Sequence, residues 1–354
     1  LWVLTRHPIL VIQRLPEVRV AQVSPSGVAP KERPRIAVVL GAGGVLGAAW
    51  TAGALVALQQ QLPCPVGAVD LMVATSAGSI MAAALRCGVD VGEIVEHQRG
   101  SRLVRLPHLA QLDRDAGPLP RLPRMRIGSP RLLVSTALRP HRVHPWVAAS
   151  ALVPQGRGRH RSLTALIDAL LAQDPQRSAR NWPGPGETWV VAVDYESGRR
   201  VSFGRPGAPA ATLPDAVVAS CSIPGWYEPK VIGGRRYVDG GVRSSTSLDL
   251  LARAGLDEVY VLAPMASYRL DNPRNPAARL ERLFRRWVTA ALNVEVGRVR
   301  ATGTKVTVLT PGPADLAAIG ANLMDPARRQ RVLETSLQTS RAAFNPNEDL
   351  PTAA

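Results

Sequence analysis

Two short, nearly unbroken apolar runs dominate the first third of the chain. Residues 36–40 (IAVVL) and 69–73 carry β-branched and aliphatic side chains without strict alternation, the pattern of strands covered on both faces in a parallel sheet. Each run stops at a cluster of small residues, and each cluster opens a helical stretch, residues 48–61 and 76–86, the second ended by Gly88. Two successive βα units predict a parallel sheet whose functional groups gather at the strands' C-terminal ends.

Further along, residues 189–194 read as a core strand, turned by 196–199 into an antiparallel edge partner over 200–203. A helix over 213–220 ends in the rigid bend CSIPG (221–225). Residues 230–238 form a hairpin on Gly233-Gly234. Strands over 258–263 and 305–310 flank a helix over 276–299, whose Leu283, Trp287, Ala290, Ala291 and Val294 share one stripe and are expected to pack on the core. Helices are expected on the sheet within 313–344, the last starting at Asp325-Pro326, with 345–354 loose. Residues 1–33 mix apolar residues with Pro and Arg and read as a surface arm.

Composition narrows the class. At 354 residues and 46% hydrophobic, the chain can bury one large core or two small ones. Its net charge of +16 raises the question of anionic partners, and the excess is local: residues 99–161 hold thirteen Arg against Asp113 and Asp115. Leu103, Leu106, Leu109, Leu122, Met125, Ile127, Leu132, Leu133 and Trp146 interleave with them. That mixture suits peripheral contact with an anionic membrane, or a solvated cap over the site. Nucleic acid is disfavoured, because aromatic residues are only 4% and no binding motif occurs.

Cys64, Cys87 and Cys221 are odd in number and widely spaced, which suggests free thiols; neither a disulfide framework nor a metal site is expected. No run reaches the roughly 18 apolar residues that span a bilayer. The first twenty residues are broken by Arg6, Arg14, Pro16 and Glu17, so a cytoplasmic or peripherally membrane-associated protein is expected. The chain begins at Leu1 and not Met, so a segment upstream is allowed for.

Three stretches carry candidate chemistry. Ser76, with Ala74 two before and Gly78 two after, fits the sharp strand-to-helix turn of a nucleophile elbow; a serine capping an ordinary helix fits as well. Gly41-Ala42-Gly43-Gly44-Val45-Leu46-Gly47, between strand and helix, can aim backbone N–H groups at an anion. A dinucleotide fingerprint misplaces its first glycine there, and a phosphate-binding P-loop lacks Lys-Ser/Thr. An oxyanion hole from the amides of Gly43, Gly44 and Val45 is the reading that also uses Ser76. Asp239, at a strand end before Gly240 and Gly241, is either a turn former or a general base for that serine. His7, His97, His108, His141, His144 and His160 all fall in the arm or in or beside the basic segment, a poor place for a rigid base.

Taken in order, VVLGAGGVLG (38–47), ATSAG (74–78) and YVDGG (237–241), with ASCSIPG (219–225) before the last, resemble the patatin-like phospholipases. The resemblance spans about residues 34–311. It implies a three-layer α/β/α patatin-like fold with a mostly parallel central sheet, and a lipid acyl hydrolase that needs no cofactor. Ser76 would be the nucleophile, Asp239 its base, and the glycine-loop amides the oxyanion hole, with Gly41, Gly47, Ala74, Gly78, Gly240 and Gly241 as motif positions. Residues 1–33 then form an arm and 312–354 a C-terminal helical extension with a loose tail. Two positions depart from the family: Ala74 stands where glycine is usual, and Leu46 where Arg or Lys is usual. These departures motivate the alternative of a catalytically weak lipid-binding protein on the same fold.

Overall fold

β1 (Ile36–Leu40) is buried at all five positions, and its neighbours explain why no polar residue interrupts it. The computed structural model describes residues 33–101, 119, 122–124, 126–138, 141, 143–173 and 182–344, and those from Pro34 onward belong to one compact unit. After β1 come α1 (Gly44–Gln59), β2 (Leu71–Thr75), α2 (Ala77–Arg86) and α3 (Val91–Arg99). The middle holds α4 (Pro130–Leu138), α5 (Pro145–Ser150), α6 (Arg161–Leu171), β3 (Glu187–Asp194), β4 (Arg200–Phe203) and α7 (Leu213–Cys221). The last third holds β5 (Lys230–Ile232), β6 (Arg235–Asp239), β7 (Glu258–Leu262), α8 (Pro276–Arg300), β8 (Lys305–Leu309), α9 (Pro313–Ile319) and α10 (Arg329–Phe344).

The sheet runs β5-β6-β3-β2-β1-β7-β8, with β4 also on β3. β3, β2, β1, β7 and β8 are mutually parallel; β4, β5 and β6 join antiparallel. Successive side chains of β1 point to opposite faces. Ile36, Val38 and Leu40 enter a core with α1, α2, α3, α6, α7 and α10, while Ala37 and Val39 enter a second core with α8. This is a three-layer α/β/α fold with a mostly parallel central sheet, and it accounts for the uninterrupted apolar runs.

One detail of register positions the site. β2 pairs with β3 up to Thr75↔Val191, and β6 pairs with β3 from Ala192↔Asp239. Because β4 covers residues 190–193 of β3 on the other edge, β2 and β6 must share one edge and meet end to end. Ser76 and Asp239 are therefore brought together by β3, which contributes neither.

Three regions depart from expectation. α1 begins at Gly44, inside the glycine loop, because Gly44 takes φ +60 and lets the helix start there. The basic segment is partly folded: Leu132, Val143 and Val147 of α4–α5 pack with Val193, Tyr195 and Val238 in a small third core. Leu132 is thus a core residue, Leu133 is half-buried, and Leu122, Ile127 and Trp146 are exposed; Leu103, Leu106, Leu109 and Met125 lie outside the described residues.

The largest correction is α8. Its Leu283, Trp287, Ala290, Ala291 and Val294 face outward, with Trp287 65% exposed, whereas Arg282, Arg285 and Glu295 point inward. The buried charges find most of their partners, though Arg285 Nη2 has none among the described residues. Arg285 donates to Pro264 O (2.6 Å) and Glu281 Oε1 (2.8 Å), and Arg282 to Asp271 Oδ1 (2.6 Å) and Leu316 O (2.7 Å). Partners of this number allow a charged face to be the inner one. At the C-terminal end, α10 lies on α1, where Ser336 Oγ donates to Trp50 O at 2.7 Å. The arm (1–32) and tail (345–354) lie outside the described residues.

Candidate active site

Ser76 sits between β2 and α2 at φ 53, ψ −125, a region that non-glycine residues seldom occupy and that stores roughly 1–3 kcal/mol of strain. A capping serine would be extended, and its hydroxyl would accept from the helix's first turn. Ser76 makes no such cap bond. Its side chain stands close enough to the Asp239 carboxylate to lower that acid's pKa against the effect of burial.

Close packing holds the turn. A Cβ on Gly78 would collide with the Leu40 carbonyl, and one on Gly240 would stand 2.5 Å from Val191 O. Ala74 is fully buried inside β2, so its methyl is accommodated. Gly41, Gly47 and Gly241 lie in the same cluster, against Leu262 and Pro264 for the first two and against the Asp239 carboxylate and Ala42 for the third.

Three serines that the sequence reading left without roles brace these elements. Ser220 Oγ accepts from Ser76 N at 2.8 Å and donates to Val191 O at 2.6 Å, which ties the elbow to β3. Ser79 Oγ donates to Ser76 O at 2.6 Å, and Ser222 O accepts from Asp239 N at 3.0 Å. The only advance signal for Ser220 and Ser222 was their place in ASCSIPG.

Asp239 is 4% exposed. Burial pushes its carboxyl up to about 6, while hydrogen bonds from Ser76 and from Gly241 N (2.7 Å) pull the other way. Its Oδ1 thus forms the turn, and the carboxylate lies beside Ser76. Burial, with the Asp239 charge adding to it, also raises the Cys221 thiol, which keeps that neighbour neutral.

The glycine loop is accounted for amide by amide. Gly41 N donates to Leu262 O (2.9 Å), Ala42 N to Ser245 O (2.8 Å), Leu46 N to Leu323 O (2.9 Å) and Gly47 N to Gly43 O (2.9 Å). No described residue accepts from Gly43, Gly44 or Val45 N. Three free amides at the start of a sixteen-residue helix, near the positive end of its dipole, form an anion-ready corner. Leu46 is fully buried, so the loop carries no cation there.

Gly44, Val45 and Ser76 line one wall of an apolar cavity of about 150 Å3, closed by Ile80, Met81, Leu163 and Leu166 of α2 and α6. His97 and His160 also reach it. His160 stacks on Tyr227 with ring centroids 3.8 Å apart, and its Nε2 lies 3.1 Å from Cys221 O. Among the described residues no three His, Cys, Asp or Glu side chains cluster as a metal site would. No described helix is long and apolar enough to cross a membrane.

Fold and site define an α/β protein with a nucleophile-elbow turn beside a glycine loop. The chain belongs to the patatin-like phospholipase family, whose profile matches residues 38–252, and by family it is a lipid hydrolase. No curated protein is similar enough to count as a match.

Solved structures similar to it include VipD from Legionella pneumophila, at 12% identity and TM-score 0.42, over 88% of this chain and 67% of that one. The type III effector ExoU of Pseudomonas aeruginosa is 16% identical at TM-score 0.36, over 88% and 53%. Human GIVD cytosolic phospholipase A2, in complex with methyl gamma-linolenyl fluorophosphonate, is 14% identical at TM-score 0.35, over 88% and 58%. The chain thus spans little more than half the length of the last two.

Proposed function

We infer that this lipid hydrolase cleaves carboxylic esters through a covalent acyl-Ser76 intermediate. The observation that carries this reading is Ser76, held at φ 53 in the strand-to-helix turn at the wall of an apolar cavity, with the buried Asp239 carboxylate brought beside it where β2 and β6 end on adjacent residues of β3. Ser76 Oγ attacks the ester carbonyl carbon while Asp239 takes the hydroxyl proton. The resulting oxyanion is held by the amides of Gly43, Gly44 and Val45. Its collapse breaks the bond to the leaving oxygen, which receives the proton from Asp239. Water then attacks the acyl-serine with Asp239 again as base, releasing the acid and restoring the hydroxyl.

A carboxyl raised to about 6 suits both halves of that cycle better than one at the usual value near 4. Ser76→Ala is expected to lose about a thousandfold or more of the turnover of a short acyl ester while melting as a folded protein. Full residual activity would sink the reading.

In this reading residues 34–311 form the hydrolase domain, 1–33 an arm and 312–354 a helical extension. Residues 99–161 touch anionic membrane. Several of that segment's arginines are already paired, Arg124 and Arg159 with Glu228 and Arg131 with Glu196. Exposed Arg126, Arg157 and Arg161 make no ion pair with described residues. Reversing those three charges is expected to lower binding to anionic vesicles, and unchanged binding would refute the contact.

A further inference from the structure

A second hollow, of about 730 Å3, lies behind Gly241 and plays no part in the chemistry above. Ile223 lines both hollows, and Gly241, whose amide donates to Asp239 Oδ1, lines this one. Its rim is aromatic: Trp146 meets Phe284 and Trp287 edge to face, with centroids 6.3 and 5.7 Å apart.

Its wall is charged, and most of the charges are matched. Asp249 takes both prongs of Arg200 at 2.6 and 2.5 Å, with Arg298 at 3.8 Å. Glu295 accepts from Thr246 Oγ1 at 2.8 Å and Leu248 N at 2.9 Å. Arg243 is the group left over. It is half-buried, its guanidinium makes no hydrogen bond or ion pair with a described residue, and burial, with Arg200 and Arg298 nearby, holds its pKa below the usual value although the Asp249 and Glu295 carboxylates pull the other way. In the same wall the buried Nδ1 of His144 is also without a partner.

A partly desolvated guanidinium is unfavourable until an anion completes it, and its planar fork matches two oxygens of a phosphate. We propose that the second hollow receives the head-group side of a phospholipid or lysophospholipid, with Arg243 binding its phosphodiester anion and His144 Nδ1–H donating to the same group. This deepens, and rests on, the hydrolase reading, with the acyl chain in the first hollow and the leaving half in the second. It also gives the site a cation that Leu46 withholds from the glycine loop.

Binding tests this without turnover. In the Ser76→Ala protein, dissociation constants are measured for an ether-linked lysophospholipid and the alkylglycerol of the same chain, with and without Arg243→Gln or Arg243→Lys. The preference for the lysophospholipid is expected to fall about 10–100-fold with Gln and less with Lys. Melting curves verify that each variant is folded. A preference unchanged within about twofold by Arg243→Gln, or no preference in the parent, would overturn the proposal. So would inorganic phosphate that binds through Arg243 while the lipid preference ignores that residue. Failure of a fluorophosphonate to label Ser76 in the native protein would remove the hydrolase reading separately, leaving the binding ratio to decide the role of Arg243.

Discussion

The two hollows that share Ile223 are built from different materials. The first is lined by aliphatic side chains of α2 and α6 and has the free glycine-loop amides at its head. The second is larger, rimmed with aromatics and walled with arginine, histidine and carboxylates. An ester also has two unlike halves, and a site that separates an apolar side from a charged one orients the bond between them. Orientation of that kind places the carbonyl carbon, and no other atom, at the serine.

The largest expected effect strikes the proposed base, which belongs to neither lining. Asp239→Asn is expected to lower kcat about 100–10,000-fold with KM little changed, measured on a soluble ester. In the parent, activity is expected to rise with pH through about 6, as the carboxyl ionises and can act as base. Stability moves the opposite way. A carboxyl raised on folding from 3.8 to about 6 favours the fold at low pH and loses that contribution as pH rises through about 6. Asp239→Asn is therefore expected to gain roughly 3 kcal/mol over the parent above that pH, and little below pH 4, by denaturant titration.

Filling each hollow separately tests the division of labour. Ile80→Trp narrows the first and is expected to shift acyl preference toward short chains by about tenfold, with head-group preference moving less. Ala291→Trp intrudes on the second and is expected to depress phospholipid hydrolysis relative to a short neutral ester. The reverse pattern would exchange the two assignments.

Smaller effects concern the brace between the elements. Ser220→Ala removes the acceptor for Ser76 N and the donor to Val191 O, and is expected to cost about 1–3 kcal/mol in stability. Smallest is Ser76→Gly, expected to be more stable than Ser76→Ala by about 1 kcal/mol, because glycine tolerates φ 53.

The βα units, the elbow and the glycine loop were legible because their chemistry is local: close approach demands small residues at fixed offsets from a strand end. Asp239 was legible only in company. Its meeting with Ser76 depends on β2 and β6 ending at adjacent residues of β3, a register that no local pattern encodes. The cavity linings were hidden for the same reason, since they join residues far apart in the chain.

α8 misled for a different cause. An apolar stripe at helical spacing states a period and not a direction, and here Arg282, Arg285 and Glu295 find enough buried partners to reverse the usual orientation. The arginine-rich segment misled in part, because Leu132 and Val147 within it serve a small core of their own.

The central claim is that Asp239 makes Ser76 a nucleophile at the wall of the apolar cavity. Peptide mass spectrometry after timed exposure to an alkyl fluorophosphonate tests it most directly. The account predicts a single adduct on Ser76, formed at least about 100-fold more slowly in Asp239→Asn. An adduct elsewhere, no adduct, or equal rates in the two proteins would contradict it.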